Sequence, residues 1–110
     1  MDNIKNDTYY VKKMLKDINF IIMHTKTLSL NELETNEILC DSVLFRLIQI
    51  SETSAKLSDA FKTEHNDIPW QAIKGMRNKI VHEYGEVKLD IVYDTVSKDI
   101  PYLYSKLNNL

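Results

Sequence analysis

The stretch NEILCDSVLFRLIQISETSAKL, residues 36–57, decides the fold. Cys40, Val43, Leu47, Ile50, Ser54 and Leu57 recur at alternating spacings of three and four, the period of one helix face. A second apolar row, Leu44, Ile48 and Ala55, runs beside it, leaving Ser42, Arg46, Gln49, Thr53 and Lys56 for the polar side. A helix apolar over more than half its girth is central to a bundle or lies at a dimer interface. Upstream, residues 2–26 carry Ile4, Val11, Met14, Leu15, Ile18, Ile21, Ile22 and Thr25 on one face, with Lys12, Lys13, Lys16 and Asp17 away from it. Ser29-Leu30-Asn31-Glu32 fits a capping box and predicts a short helical connection between the two. Downstream, a short amphipathic turn over residues 58–62 precedes the polar loop Glu64-His65-Asn66-Asp67. Pro69 opens a third long helix at its first position, and Gly85 closes it. A fourth, from about Lys88 to Leu107, aligns Leu89, Val92, Tyr93, Val96, Ile100, Leu103 and Leu107. Pro101 lacks a backbone donor and clashes with the preceding turn, which predicts a kink near Ser97–Pro101. The expected architecture is all-α: an antiparallel four-helix bundle with one or two additional short helices, a single domain over residues 1–110.

Composition agrees. The chain has 110 residues, 27% charged and 44% hydrophobic, in the range of a soluble globular domain. It carries two glycines and two prolines, where average usage gives roughly thirteen of the two together. So few turn residues do not build a sandwich, a barrel or a doubly wound sheet. Gly75 and Gly85 match neither GxxxxGK[ST] nor GxGxxG, which excludes a glycine-rich phosphate loop. Formal net charge is −2, so any nucleic-acid site must be local. Cys40 is the single cysteine, on the core stripe, which removes an intrachain disulfide and a multi-cysteine zinc site and fits a reducing compartment. No run approaches the ~20 apolar residues of a membrane span and no signal peptide is recognised, so a cytoplasmic protein is expected. No histidine pair has metal-ligand spacing, so no metal or cofactor is expected.

The segment IPWQAIKGMRNKIVHEY, residues 68–84, breaks the bundle pattern. Trp70, Ile73, Arg77, Ile80 and Tyr84 share one helical face, which puts a guanidinium where a bundle wants an aliphatic chain. Lys74, Arg77 and Lys79 make a local +3 with no acid between Trp70 and His82. Two readings fit the residues alone. Arg77 and His82 either neutralise a helix end or pair with carboxylates, or they form an anion site. A separation of five places them roughly 140° apart on a regular helix, so they converge only if the helix end unwinds or two chains meet. His82 and Asn78, four apart, share a face on such a helix.

Arg77, four intervening residues, His82, Glu83 and Tyr84 resemble the Arg-x4-His-x-Tyr signature of the HEPN superfamily, and in particular the HepT toxins of HepT/MntA toxin–antitoxin systems. Ile68-Pro69-Trp70, Gly75-Met76-Arg77-Asn78, the stretch from Val92 to Pro101 and the stretch from Asp41 to Leu57 resemble that family too, while Ser51 and Thr53 stand where many relatives have Gly and Ala. The resemblance implies a HEPN-like bundle and a metal-independent endoribonuclease acting as a homodimer on RNA, with Arg77 and His82 of both chains lining one cleft. It also implies neutralisation by an MntA-like nucleotidyltransferase antitoxin that adds AMP to Tyr84. Attack of a 2′-OH on the adjacent phosphate needs a base, an acid for the leaving 5′-oxygen and positive charge on the developing phosphorane. Histidine can be base or acid, and two chains supply two of them. Arg77 suits the phosphate through its paired donors, and Asn78 is a supporting cleft residue that could orient the imidazole. Without the resemblance Tyr84 reads as core or interface packing. The alternative function is a non-catalytic HEPN module that docks on and regulates a nucleotidyltransferase. Glu52 reads equally as a cleft residue or a surface acid, and His24 and His65 as solvated or locally hydrogen-bonded side chains.

Overall fold

The structure is a computed structural model that describes residues 6–82 and 86–110, apart from the His82 side chain. Its elements in chain order are α1 (Asp7–Thr25), α2 (Leu30–Thr35), α3 (Glu37–Ser54), α4 (Asp59–Glu64), α5 (Trp70–Ile80), β1 (Val81–His82), β2 (Glu86–Val87), α6 (Leu89–Asp94), a π-helical turn (Thr95–Asp99) and α7 (Ile100–Leu107). The last three run on without a break, so four long rods and two short helices make an all-α bundle. The sole addition among the described residues is the two-residue antiparallel pairing of β1 with β2, Val81 opposite Val87 and His82 opposite Glu86.

Side-chain bonds give the packing directions. Asp17 meets Arg46, Lys13 meets Gln49, and Asp7 meets Ser58, so α1 and α3 run antiparallel. Lys79 meets Asp99 and Asp67 meets Lys106, so the C-terminal rod returns antiparallel to α5. The Tyr93 hydroxyl donates to the Leu28 carbonyl at 2.9 Å, fixing that rod beside the end of α1. Met14, Ile18 and Ile21 from α1 join Val43, Leu47 and Ile50 from α3, Ile73, Met76 and Ile80 from α5, and Val92, Ile100 and Leu107 in one buried cluster.

Helix ends follow local chemistry. Asn36 accepts from the Leu39 N–H to start α3, and Ser29 and Glu32 make both bonds of the capping box at α2. Pro69 stands one place before its expected position: it is the residue preceding α5, and its carbonyl accepts the Ile73 N–H at 3.0 Å. The irregularity expected around Pro101 is the π-helical turn Thr95–Asp99, whose widened bonding relieves the crowding of the ring against the previous turn.

Asp17 corrects the sequence reading, which set it away from the apolar face. It is 5% exposed, and its Oδ1 accepts from Arg46 Nη1 at 2.8 Å. Lys13 Nζ stands 3.9 Å from Oδ2, and the Arg46 guanidinium lies 4.1 Å over the Phe20 ring. Burial of a carboxylate is tolerated because a cation from the neighbouring helix reaches it.

Arg46→Ala should destabilise the fold by about 3 kcal/mol, the lower end of the range for stripping one partner from a buried pair, because the guanidinium is partly solvated. Replacing Asp17 and Arg46 together by leucine should recover most of that loss in denaturant titrations. At α4, the Asp7 carboxylate accepts from the Ser58 N–H at 2.8 Å and the Ser58 hydroxyl at 2.7 Å. These bonds hold its pKa below the usual 3.8. Its contribution is therefore full above that value and is lost as the pH falls below it. The Tm difference between wild type and Asp7→Ala should stay constant from pH 7 to 5 and shrink in more acid solution.

Candidate active site

Helix α5 positions the motif. Ile73, Met76 and Ile80 face the core and are buried, and the Ser51 hydroxyl donates to the Lys74 carbonyl at 3.1 Å, tying the middle of α5 to α3. The Trp70 indole N–H donates to the His65 carbonyl at 3.0 Å and holds the start of the helix. With the inward row fixed by three apolar side chains, Met76 takes the place the sequence reading gave to Arg77. Arg77 is exposed instead, since an unpaired guanidinium costs more to bury than a thioether.

Among the described residues none pairs with Arg77 through a hydrogen bond or ion bridge. None of its donors is committed to a described residue, and a guanidinium so placed offers paired donors to an anion. Lys74, one turn back, is also exposed and unpaired among the described residues. Lys79 is on another flank, with Nζ 3.6 Å from the Asp99 carboxylate. The three cations thus do not form one patch: Lys74 and Arg77 share a flank, and Lys79 serves the contact with the C-terminal rod.

The helix ends before the motif does. Val81 has an extended backbone, φ −96° and ψ 112°, and its N–H makes a last helical bond to the Arg77 carbonyl. Helix α5 therefore stops at Ile80, short of Gly85, and His82 begins outside it as part of β1. The expected common helical face of Asn78 and His82 does not exist, because the chain changes direction between them. The same change removes the fixed 140° separation that a regular helix would impose on Arg77 and His82. Asn78 is exposed on the last turn of α5. The side chain of His82, and Glu83, Tyr84 and Gly85 entirely, lie outside the described residues.

Other candidates resolve simply. Glu52 is exposed on α3. Cys40 is buried, and burial pushes its thiol pKa up, which suits packing and not nucleophilic attack. His24 stacks on Phe20 and His65 on Phe61. No group of three or more His, Cys, Asp or Glu side chains converges as a cation site among the described residues. No helix among them is long and apolar enough to cross a membrane.

Comparison with known proteins adds to this geometry. The family described as Ribonuclease HepT-like matches residues 14–110. The chain is 29% identical over 107 residues to "Putative RNase TTE0752" of Caldanaerobacter subterraneus subsp. tengcongensis, covering 97% of this chain and 96% of that one. It is 35% identical over 79 residues to "Probable ribonuclease HepT" of Thermococcus cleftensis, covering 67% and 72%. It is 30% identical over 103 residues to "Gamma-glutamylcyclotransferase and putative RNase MJ0434" of Methanocaldococcus jannaschii, where it spans 94% of its own length and 46% of the relative. No solved structure matches the chain. With a match extending from the middle of α1 to the last residue, the chain belongs to the HepT-like ribonuclease family.

Proposed function

We propose that the protein is the toxin ribonuclease of a toxin–antitoxin system, a metal-independent endoribonuclease that cuts RNA in a cleft shared by two copies. The observation that carries this reading is an exposed Arg77 near the end of α5, without a partner among the described residues and five residues ahead of His82, in a chain of a ribonuclease family. Arg77 binds the scissile phosphate through two parallel donors and neutralises charge as the phosphorane forms. His82 of one copy takes the proton from the 2′-OH while His82 of the other protonates the departing 5′-oxygen, a division of labour that one imidazole cannot perform in a single step. Asn78 supports the cleft by binding phosphate oxygen or orienting an imidazole.

Pairing of two copies is supported by the outer face of α3. Ile38 is 82% and Phe45 57% exposed there, and apolar side chains so placed are favourable to cover. The domain is taken to comprise residues 1–110 and to work in the cytoplasm. Control is assigned to an MntA-like nucleotidyltransferase antitoxin that adds AMP to Tyr84. Each AMP adds bulk and negative charge beside the residues that bind phosphate, which opposes RNA by repulsion and occlusion.

Purified protein should cleave single-stranded RNA, and Arg77→Ala and His82→Ala should each lower the rate by about 10²–10⁴-fold with the dimer intact in sedimentation. An undiminished rate in both variants, or no cleavage by the wild type, would leave the non-catalytic binding module as the function. Incubation with ATP and the cognate nucleotidyltransferase should raise the intact mass in AMP steps. A Tyr84→Phe variant that gained the same mass would place the modification elsewhere.

A further inference from the structure

The sequence is acidic overall, yet the groove between α1 and α3 is not. A cavity of about 620 Å³ there is lined by Lys12, Lys13 and Lys16 from α1 and by Phe45, Arg46 and Gln49 from α3, with Tyr9 at one end. Four cations face one carboxylate, Asp17, a local +3 in a chain of net charge −2. The carboxylate is sequestered: it is buried, bonded to Arg46 and flanked by Lys13. Lys13 Nζ also donates to Gln49 Oε1 at 3.2 Å, and Arg46 is stacked on Phe20, so both are held in place before any ligand arrives. Lys12 and Lys16 stand one turn apart, exposed and unpaired among the described residues. Side chains four apart on a helix are roughly 6 Å apart at Cβ and can grip neighbouring negative groups.

We propose that this groove is a second RNA-binding surface, a track for the phosphodiester backbone of the substrate away from Arg77. A row of cations with an aromatic ring beside it is how proteins bind single-stranded nucleic acid without reading sequence. The groove adjoins the outer face of α3 assigned to the partner copy and shares Phe45 with it, whereas its cations stand on α1 and at Arg46. The choice of RNA over an acidic protein rests on the ribonuclease reading above. The track gives a small, acidic protein affinity for long RNA that one arginine per chain does not supply.

The test is a binding titration that needs no cleavage. Fluorescence anisotropy of a labelled single-stranded 12-nucleotide RNA is followed in the His82→Ala dimer at several salt concentrations, with and without Lys12→Gln plus Lys16→Gln. Both lysines are exposed and unpaired among the described residues, whereas Arg46 is spared because its loss would strand Asp17. The double substitution should weaken binding on the order of tenfold at low salt and flatten the slope of log K against log salt by about 0.7 for each lysine removed. Equal affinity and equal slope would overturn the proposal. So would poly-glutamate of matched charge competing as well as RNA, which would give the groove to an acidic protein. If affinity falls as expected while the wild type cuts no RNA, the groove stands as an RNA-binding surface and the enzymatic reading is what fails.

Discussion

Helix α5 has 11 residues and three buried side chains to orient it, Ile73, Met76 and Ile80. Spaced at three and four, they leave one rotation of the helix against its neighbours that hides all of them. That rotation puts Arg77 and Lys74 outward on one flank and Lys79 on another, against Asp99. The Ser51 bond to the Lys74 carbonyl locks it from the α3 side. A guanidinium one position from a buried methionine is thus held on a rigid helix yet free of partners among the described residues, as the phosphate contact proposed for it requires.

The bundle keeps its stabilising charges apart from that flank. Asp17 and Arg46 join α1 to α3, Asp7 ties the start of α1 to the start of α4, and Lys106 joins the C-terminal rod to Asp67. Each links elements distant in sequence, and none draws on Arg77. A charge recruited into a structural pair would lose affinity for a ligand anion by the amount it gains from its partner. Helix α5 ends in the same economical way. Ile80 and Val81 are β-branched, and the extended Val81 turns the chain into a two-residue pairing, where it takes the position opposite Val87.

The long helices were legible because each carries its apolar residues at one period. The stripes through Met14 and Ile21, Cys40 and Leu57, and Val92 and Leu107 are the buried rows of the bundle. The capping box at Ser29 acts through bonds within one turn, so it too can be read locally. Asp17 was misread because its burial depends on a cation 29 residues away, although its position among Met14, Ile18 and Ile21 was the signal. The end of α5 was misread for a related reason. Gly85 is a strong local stop, but the helix yields earlier, at Ile80, where pairing with Glu86 and Val87 competes with another turn. Arg77 was singled out by its residue type and wrongly placed toward the core, because the rotation of α5 is a tertiary property. The basic groove was invisible for the same reason, since Arg46 joins the α1 lysines only when α3 packs beside them.

The central claim is that one cleft needs both imidazoles of a two-fold pair. It is tested most directly in a heterodimer, purified through two different tags, in which one copy carries His82→Ala and the other is wild type. A shared cleft that divides acid and base between the copies predicts a loss of rate close to that of the doubly substituted dimer, about 10²-fold or more. Retention of about half the wild-type rate would mean that each chain completes its own site, and would contradict the account.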